Sequence, residues 1–359
     1  MLSFCPSVVL TLHALIFQAA GSTQQLDTQD SSLVLLQQRA ERVSAQPRAA
    51  VVYLVRNAAE SLASLNISLN LLEANFCSRN GMGERYPVLI FSDESMQGRN
   101  FSFAPSCRLE WVVIPDFSNV PDYQEEAASA FLFRGKQDPG YGNMIRWYVR
   151  GIFDHPKVRE LDYYMRMDDD SALLAPFHDD PFSRMAATGK RYGYYCSCSE
   201  SDEFTQGFQQ FSAEYAAQHK IQPRFAQGNG SFWPKEGDPV TMVYNNFEVM
   251  SVKWWRSPEV QDFVEAVDRS LGIWHSRWGD AIIRGMAISL FLKPTDLLLF
   301  SRIRYAHPLQ NLVLPQEFVL LTNASVAMRE VPKNFIVGLG LCQNDINWQG
   351  FSKPPEPDA

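Results

Sequence analysis

A basic surplus is missing from this 359-residue chain: 32 Lys and Arg face 40 Asp and Glu, a net charge of −8. Nucleic-acid backbones demand the opposite balance, so a general nucleic-acid binder is excluded and no nucleic-acid partner is expected. A Gly-rich phosphate loop is lacking too, since neither a Walker pattern nor GxGxxG occurs. Any nucleotide would therefore be met by a metal or by a few placed arginines. Zinc-type Cys and His pairs are not found, Cys196-Ser197-Cys198 having the wrong spacing. There is no internal repeat. Nor does the N-terminal apolar run reach the roughly 20 residues of a membrane-spanning helix.

Hydrophobic residues make up 46% and charged residues 20%, which excludes extensive disorder. The 24 Phe, 13 Tyr and 8 Trp suffice for a large core and for lining a polar-ligand cleft. Val8 to Ala20 is apolar except for Thr11, His13 and Gln18, and Ala19-Ala20-Gly21 follows with small residues. Residues 1–21 are thus expected to be a signal peptide or short signal anchor. Sequons at Asn66, Asn100, Asn229 and Asn323 agree with a lumenal chain. Beyond Cys5, the remaining Cys77, Cys107, Cys196, Cys198 and Cys342 allow at most two bridges, of unknown connectivity. Residues 22–47, rich in Gln and Ser, read as a stem. An ordered domain is expected over 48–345 and a Pro-rich tail over 346–359.

Ala49 to Val55 is a continuous apolar run, the pattern of a strand buried on both faces. Leu62, Leu65, Leu69 and Leu72 recur at helical spacing. Tyr86 to Phe91, Leu109 to Ile114 and Asp162 to Met167 predict further strands, and Thr241 to Val252 one more extended segment. Helices are predicted over Tyr141 to Phe153, Pro258 to Leu271 and Asp280 to Leu292. This β-α-β-β-α-β order implies an α/β sandwich around a largely parallel sheet. Ligands bind such sheets beyond the carboxyl ends of the strands, which singles out Arg56, Asp93 and Asp168-Asp169-Asp170.

The acidic triplet follows an apolar-aromatic run, Tyr163-Tyr164-Met165-Arg166-Met167. Three adjacent carboxylates at a strand end repel one another and call for a cation. In extended chain, Asp168 and Asp170 face the same way. Their oxygens suit Mn²⁺ or Mg²⁺, ions that keep positions for phosphate oxygens. A solvated acidic turn is the ordinary structural alternative.

These residues also carry a resemblance. Val52–Asn57 (VYLVRN), Gly140–Pro156, Asp162–Asp170 (DYYMRMDDD), Tyr244–Ser251 (YNNFEVMS), Arg277–Leu292 (opening RWGD) and Tyr305-Ala306-His307-Pro308 occur in order across about residues 48–310. The chain resembles the fungal Golgi α-1,2-mannosyltransferases of glycosyltransferase family fifteen. The resemblance implies a GT-A-like nucleotide-sugar-binding fold around a mixed, largely parallel sheet. It implies retaining transfer of mannose from GDP-mannose to a mannosylated glycan acceptor, with Mn²⁺, in the Golgi lumen. N-terminal membrane attachment is compatible with it. This chain departs from the family by carrying Asp168 in place of Glu, Asp169 in place of Pro, and Arg284 in place of His.

On this resemblance Asp168, Asp170 and His307 form the metal set. Glu248 aligns with a catalytic carboxylate, acting as nucleophile or by stabilising an oxocarbenium, and Asp280 with an acceptor contact. As an ordinary alternative, Asp280 after Gly279 would be a helix N-cap. Arg56, Tyr141, Arg146 and Arg166 are expected around the nucleotide, although Arg146 and Arg166 could equally form structural ion pairs. Strand alternation sets Asn246 and Glu248 on one face and sends Phe247 into the core. Trp254, Trp255, Trp274 and Trp278 could stack on sugars, core packing being the commoner fate. Two other functional readings are a lectin-like homologue without turnover and a metal-dependent phosphoesterase.

Overall fold

Apolar runs long enough to be buried on both faces predict a sheet covered by helices on either side, and the computed structural model has that architecture. It describes residues 46–93, 106–133, 135–226, 233 and 239–307. The expected signal segment, nearly all of the stem, the Pro-rich tail, Cys342 and the sequons at Asn100, Asn229 and Asn323 lie outside the described residues. All described residues but Gln46 belong to one compact unit, which begins at Pro47.

β1 (Ala49–Leu54) leads into α1 (Ala59–Leu72), followed by β2 (Val88–Ser92) and β3 (Leu109–Val113). Helix α2 (Pro139–Arg146) runs on through a π-helical turn, Trp147–Gly151, and reaches Asp154 before β4 (Tyr163–Met167). Then come β5 (Tyr192–Tyr194), β6 (Phe247–Ser251), α3 (Pro258–Arg269), α4 (Asp280–Phe291) and β7 (Leu297–Leu299). The seven strands form one sheet in the order β7-β5-β6-β4-β1-β2-β3. β1 is parallel to β2 and β4, β2 to β3, and β5 to β7, whereas β6 runs antiparallel to both β4 and β5.

Alternation along the strands builds two cores. Ala50, Val52, Leu89 and Tyr164 face one helical layer, while Val51, Tyr53, Val88 and Met165 face the other. The α1 leucines are buried as their spacing requires. On α3, Val260, Phe263, Val264 and Val267 make a buried stripe; each such side chain contributes about 1.5–3 kcal/mol on leaving water.

The extended segment expected over Thr241 to Val252 is broken. Thr241–Val243 pairs with Ser197–Ser199 in a separate ribbon, and the chain re-enters the main sheet only at Phe247. The intervening Tyr244, Asn245 and Asn246 are thereby freed for other contacts. Ser68 of the Asn66 sequon is buried in α1, its hydroxyl 3.0 Å from Tyr53 Oη.

Cys77 and Cys107 are bridged across 30 residues, tying the end of the α1 segment to the entry of β3. In a chain-entropy picture such a loop contributes about 3–4 kcal/mol. Cys196 is disulfide-bonded as well. Cys198 is a free thiol that burial pushes up to about 12, so it is no staple. Among the described residues no helix is long and apolar enough to cross a membrane.

Candidate active site

Because β1, β2 and β4 are parallel neighbours or near neighbours, their carboxyl ends open on one edge, where Arg56, Asp93 and Asp168–Asp170 follow them. A second ribbon brings a distant residue to that edge. Ala172–Leu173 pairs antiparallel with Tyr305–Ala306, and Leu174 N donates to Arg304 O at 2.7 Å. Tyr305 Oη contacts Ser171 Oγ and donates to Asn246 O at 2.8 Å, while Asp168 N donates to Ser171 Oγ at 3.1 Å. This small lattice places the His307 Nε2 2.9 Å from Asp170 Oδ1 and 3.7 Å from Asp168 Oδ2. His307 therefore approaches both aspartates assigned to a metal from sequence, although the three donor atoms do not all lie within 4.8 Å of one another.

The electrostatics of the cluster ask for more positive charge. Burial pushes the Asp168 carboxyl up, outweighing the pull of Arg166 and His307. Asp169 is pushed up to about 7, by burial first and then by Asp170 and Asp168. Arg56, exposed just beyond β1, is near enough to draw Asp169 partly back. Two carboxylates and an imidazole form a mixed oxygen and nitrogen donor set of a kind that suits a divalent metal ion.

Arg166 is buried behind the cluster and is already engaged. Its Nε donates to Asp168 Oδ1 at 2.8 Å, its Nη1 donates to Asp280 Oδ2, and its guanidinium lies 3.5 Å over the Tyr148 ring. Asp280 is not the helix N-cap, a position that Gly279 takes. It accepts from Arg166 and, at 2.8 Å, from Asn245 Nδ2. Burial raises the Asp280 carboxyl, but the charge and hydrogen bond of Arg166 prevail and hold it below the usual range. Of the two roles anticipated for Arg166, the structural ion pair is the one this geometry contains.

Glu248 lies in surroundings that its strand alternation does not reveal. Opposite Arg166 in the β4–β6 register, it is 0% exposed. Arg284 Nε donates to its Oε2 at 3.1 Å, Tyr192 Oη donates at 2.6 Å to the same oxygen, and Tyr164 Oη donates to Oε1. Alternation did send Phe247 to the opposite core. The other face, however, is closed by α4 and the π-helical turn, with Arg284 Nη2 donating to Tyr148 O at 2.7 Å. A central strand is covered on both sides, so the position facing away from Phe247 is core rather than cleft. Burial and the Glu248 charge raise the Tyr164 and Tyr192 hydroxyls well above their usual range.

Two nucleotide-side candidates also lie in protein contacts. Tyr141, on the first turn of α2, accepts from Arg277 Nη2 at 2.8 Å and stacks on Phe131. Arg146 grips Asp268 of α3 through Nε at 2.8 Å and Nη2 at 3.2 Å. Burial pushes Asp268 up, but Arg146, Gln124 and Arg150 together hold it below the ordinary carboxylate value. A depressed folded-state pKa contributes stability that is full above the unfolded value, about 3.9, and is lost as pH falls through the folded one. Asp268→Asn is therefore expected to cost about 1.5–3 kcal/mol at neutral pH and to flatten the acid limb in urea melts from pH 7 to 2.5. An equally steep acid limb in the variant would contradict this.

The four tryptophans raised as sugar platforms are all buried. Trp255 Nε1 donates to Val149 O, Trp274 to Gln124 Oε1 and Trp278 to Gln206 O. Gly142 permits the approach of Trp274, since a Cβ there would sit 2.1 Å from the indole. Sequence reading gave no role to Tyr244, Asn245, Ser171 or Tyr305. Their only prior signal was a place beside the DDD, NNFE and YAHP stretches.

The family described as "Glycolipid 2-alpha-mannosyltransferase" matches residues 13–331. The chain belongs to this family. A relative from Saccharomyces cerevisiae bearing that same description is 24% identical over 285 residues, covering 73% of this chain and 61% of its own. An O-glycoside alpha-1,2-mannosyltransferase homolog from Schizosaccharomyces pombe is 26% identical, covering 78% of this chain and 80% of its own. The chain thus spans only about three-fifths of the length of the first of these relatives. Among solved structures, core-mannan synthase A from Aspergillus fumigatus in its Mn/GDP form superposes with a TM-score of 0.63 at 20% identity, over 74% of this chain and 75% of its own. The S. cerevisiae mannosyltransferase Ktr4p gives 0.62 at 20% identity, over 84% and 86%. The fold of this family member is therefore GT-A-like, with a mixed and mostly parallel sheet.

Proposed function

We propose that this family member transfers mannose from GDP-mannose to a mannose-bearing acceptor, with retention and an α-1,2 linkage, in glycoprotein glycan or cell-wall mannan synthesis. The observation that carries the reading is the approach of His307 to Asp168 and Asp170 beyond β4. These three would hold a divalent ion, Mn²⁺ by their donor chemistry, and such an ion supplies charge neutralisation for the departing diphosphate.

The chain's own residues divide the remaining work. Arg166, clamped between Asp168 and Asp280, fixes the direction of the Asp168 carboxylate. Ser171 and Tyr305 hold the backbone that presents the triplet. Arg56 stays exposed at the same strand edge and is a cation available to a nucleotide. Glu248 is assigned no contact with the sugar: a nucleophile has to reach the anomeric carbon, and this carboxylate has its oxygens engaged by Arg284 and two tyrosines. Same-face attack on the anomeric carbon is then favoured over a covalent intermediate at Glu248. Secretory entry is supported by the Val8–Ala20 segment and the Cys77–Cys107 bridge, and a Golgi-lumen location with N-terminal attachment is part of the proposal.

A panel of nucleotide sugars, scored for transfer to methyl mannoside with EDTA and Mn²⁺ add-back, tests this. Transfer is expected from GDP-mannose alone, abolished by EDTA and restored by Mn²⁺. Activity indifferent to EDTA, or confined to another sugar donor, would overturn it. The burial of Glu248 lends weight to one other reading, a homologue that binds without turnover; GDP binding with no transfer in any lane would establish that instead.

A further inference from the structure

Resting on that metal reading, we propose that Asn246 is a positioning residue that sets the tautomer of His307 and so switches its imidazole into a metal ligand. Asn246 is buried, and its Nδ2 lies 2.5 Å from His307 Nδ1. An amide N–H can only donate, so in this arrangement Nδ1 is the acceptor. The ring proton then sits on Nε2, which lies 2.9 Å from Asp170 Oδ1. That tautomer has no lone pair to offer a cation.

Metal binding requires the reverse: Nε2 bare and Nδ1 protonated, with an acceptor waiting at Nδ1. The same amide carries that acceptor. Asn246 Oδ1 is buried and has no hydrogen-bond partner. Turning the amide by 180° exchanges Oδ1 and Nδ2 without altering its shape. The Tyr244 hydroxyl, which also bonds the Asn246 side chain, can donate or accept and so can serve either orientation. The imidazole proton decides between them. The backbone of Asn246 is meanwhile pinned by Tyr305 Oη at its carbonyl, which keeps the amide within reach of the ring. Tyr244 Oη, 3.1 Å from Nδ1, is the other group able to accept there.

The test uses the full chain and Mn²⁺ alone, titrated by electron paramagnetic resonance, with thermal melts run on each variant. Asn246→Leu, which can neither accept nor donate, is expected to weaken Mn²⁺ binding by about 10–100-fold. Asn246→Asp, which can accept, is expected to bind as tightly as wild type or tighter. Leu binding at wild-type strength, or Asp as weak as Leu, would overturn the proposal and assign the acceptor role to Tyr244. A wild-type chain that binds no Mn²⁺ would instead remove the metal reading itself. Independent of any variant, ¹⁵N-histidine spectra should show His307 as the Nε2–H tautomer without metal and the Nδ1–H tautomer with diamagnetic Zn²⁺. An Nε2–H form in the loaded protein would also overturn it.

Discussion

Replacing Glu248 by Gln is expected to destabilise the fold by about 3–5 kcal/mol, the cost of leaving a buried cation without its partner. Arg284 is 0% exposed, and its Nη1 already has no hydrogen-bond partner. Burial lowers the Arg284 pKa and the Glu248 charge raises it; the variant loses that charge, but an arginine is not deprotonated in proteins, so a buried guanidinium is left charged and without its partner. For a domain of this size the loss corresponds to a fall of roughly 10 °C in melting temperature. Removing both charges, as Glu248→Met with Arg284→Met, should melt closer to wild type than the single change, because a desolvated pair often stabilises no more than an apolar one. Calorimetry on the three proteins decides. A Glu248→Gln variant that melts like wild type yet has lost transfer would return this carboxylate to the chemistry.

Asp170→Asn is expected to do the opposite. Its side chain is 23% exposed, and its recorded ion pair is with His307, itself 20% exposed, so melting should move by little. Turnover should fall on the order of 10²–10³-fold, the usual loss when one preorganised charge-stabilising group is removed. Raised Mn²⁺ should recover part of the activity if the weakened step is ion capture. Near-wild-type turnover in single-turnover assays at limiting Mn²⁺ would remove Asp170 from the ion's donor set.

The two variants mark a difference in what residue order could reveal. Asp168 and Asp170 were readable because a strand ending in carboxylates is locally incongruous: burial and mutual repulsion need a cation, whatever the surrounding fold. Arg284 and Glu248 were not readable as a pair. Each sits at a position that local alternation leaves uncommitted, and only the packing of α4 across β6 brings them into contact. The same applies to Arg146, whose Asp268 partner lies on a helix far along the chain. Thr241 to Val252 read as one extended segment because periodicity does not register a change of sheet partner. The strand β5, Tyr192–Tyr194, was too short to show any period at all.

By itself, the order of residues determined the parallel strands and their helices, through apolar runs and leucine spacing. It also determined the cluster of carboxylates at a strand's end. Both are consequences of local patterns that water enforces on any stretch of chain. Tertiary structure alone decided that His307 meets Asp170 across a two-residue ribbon, and that Glu248 is enclosed by Arg284, Tyr164 and Tyr192. Those contacts depend on which covered face each strand turns to which helix. That choice is made by the packing of both layers together and is not encoded in any one segment.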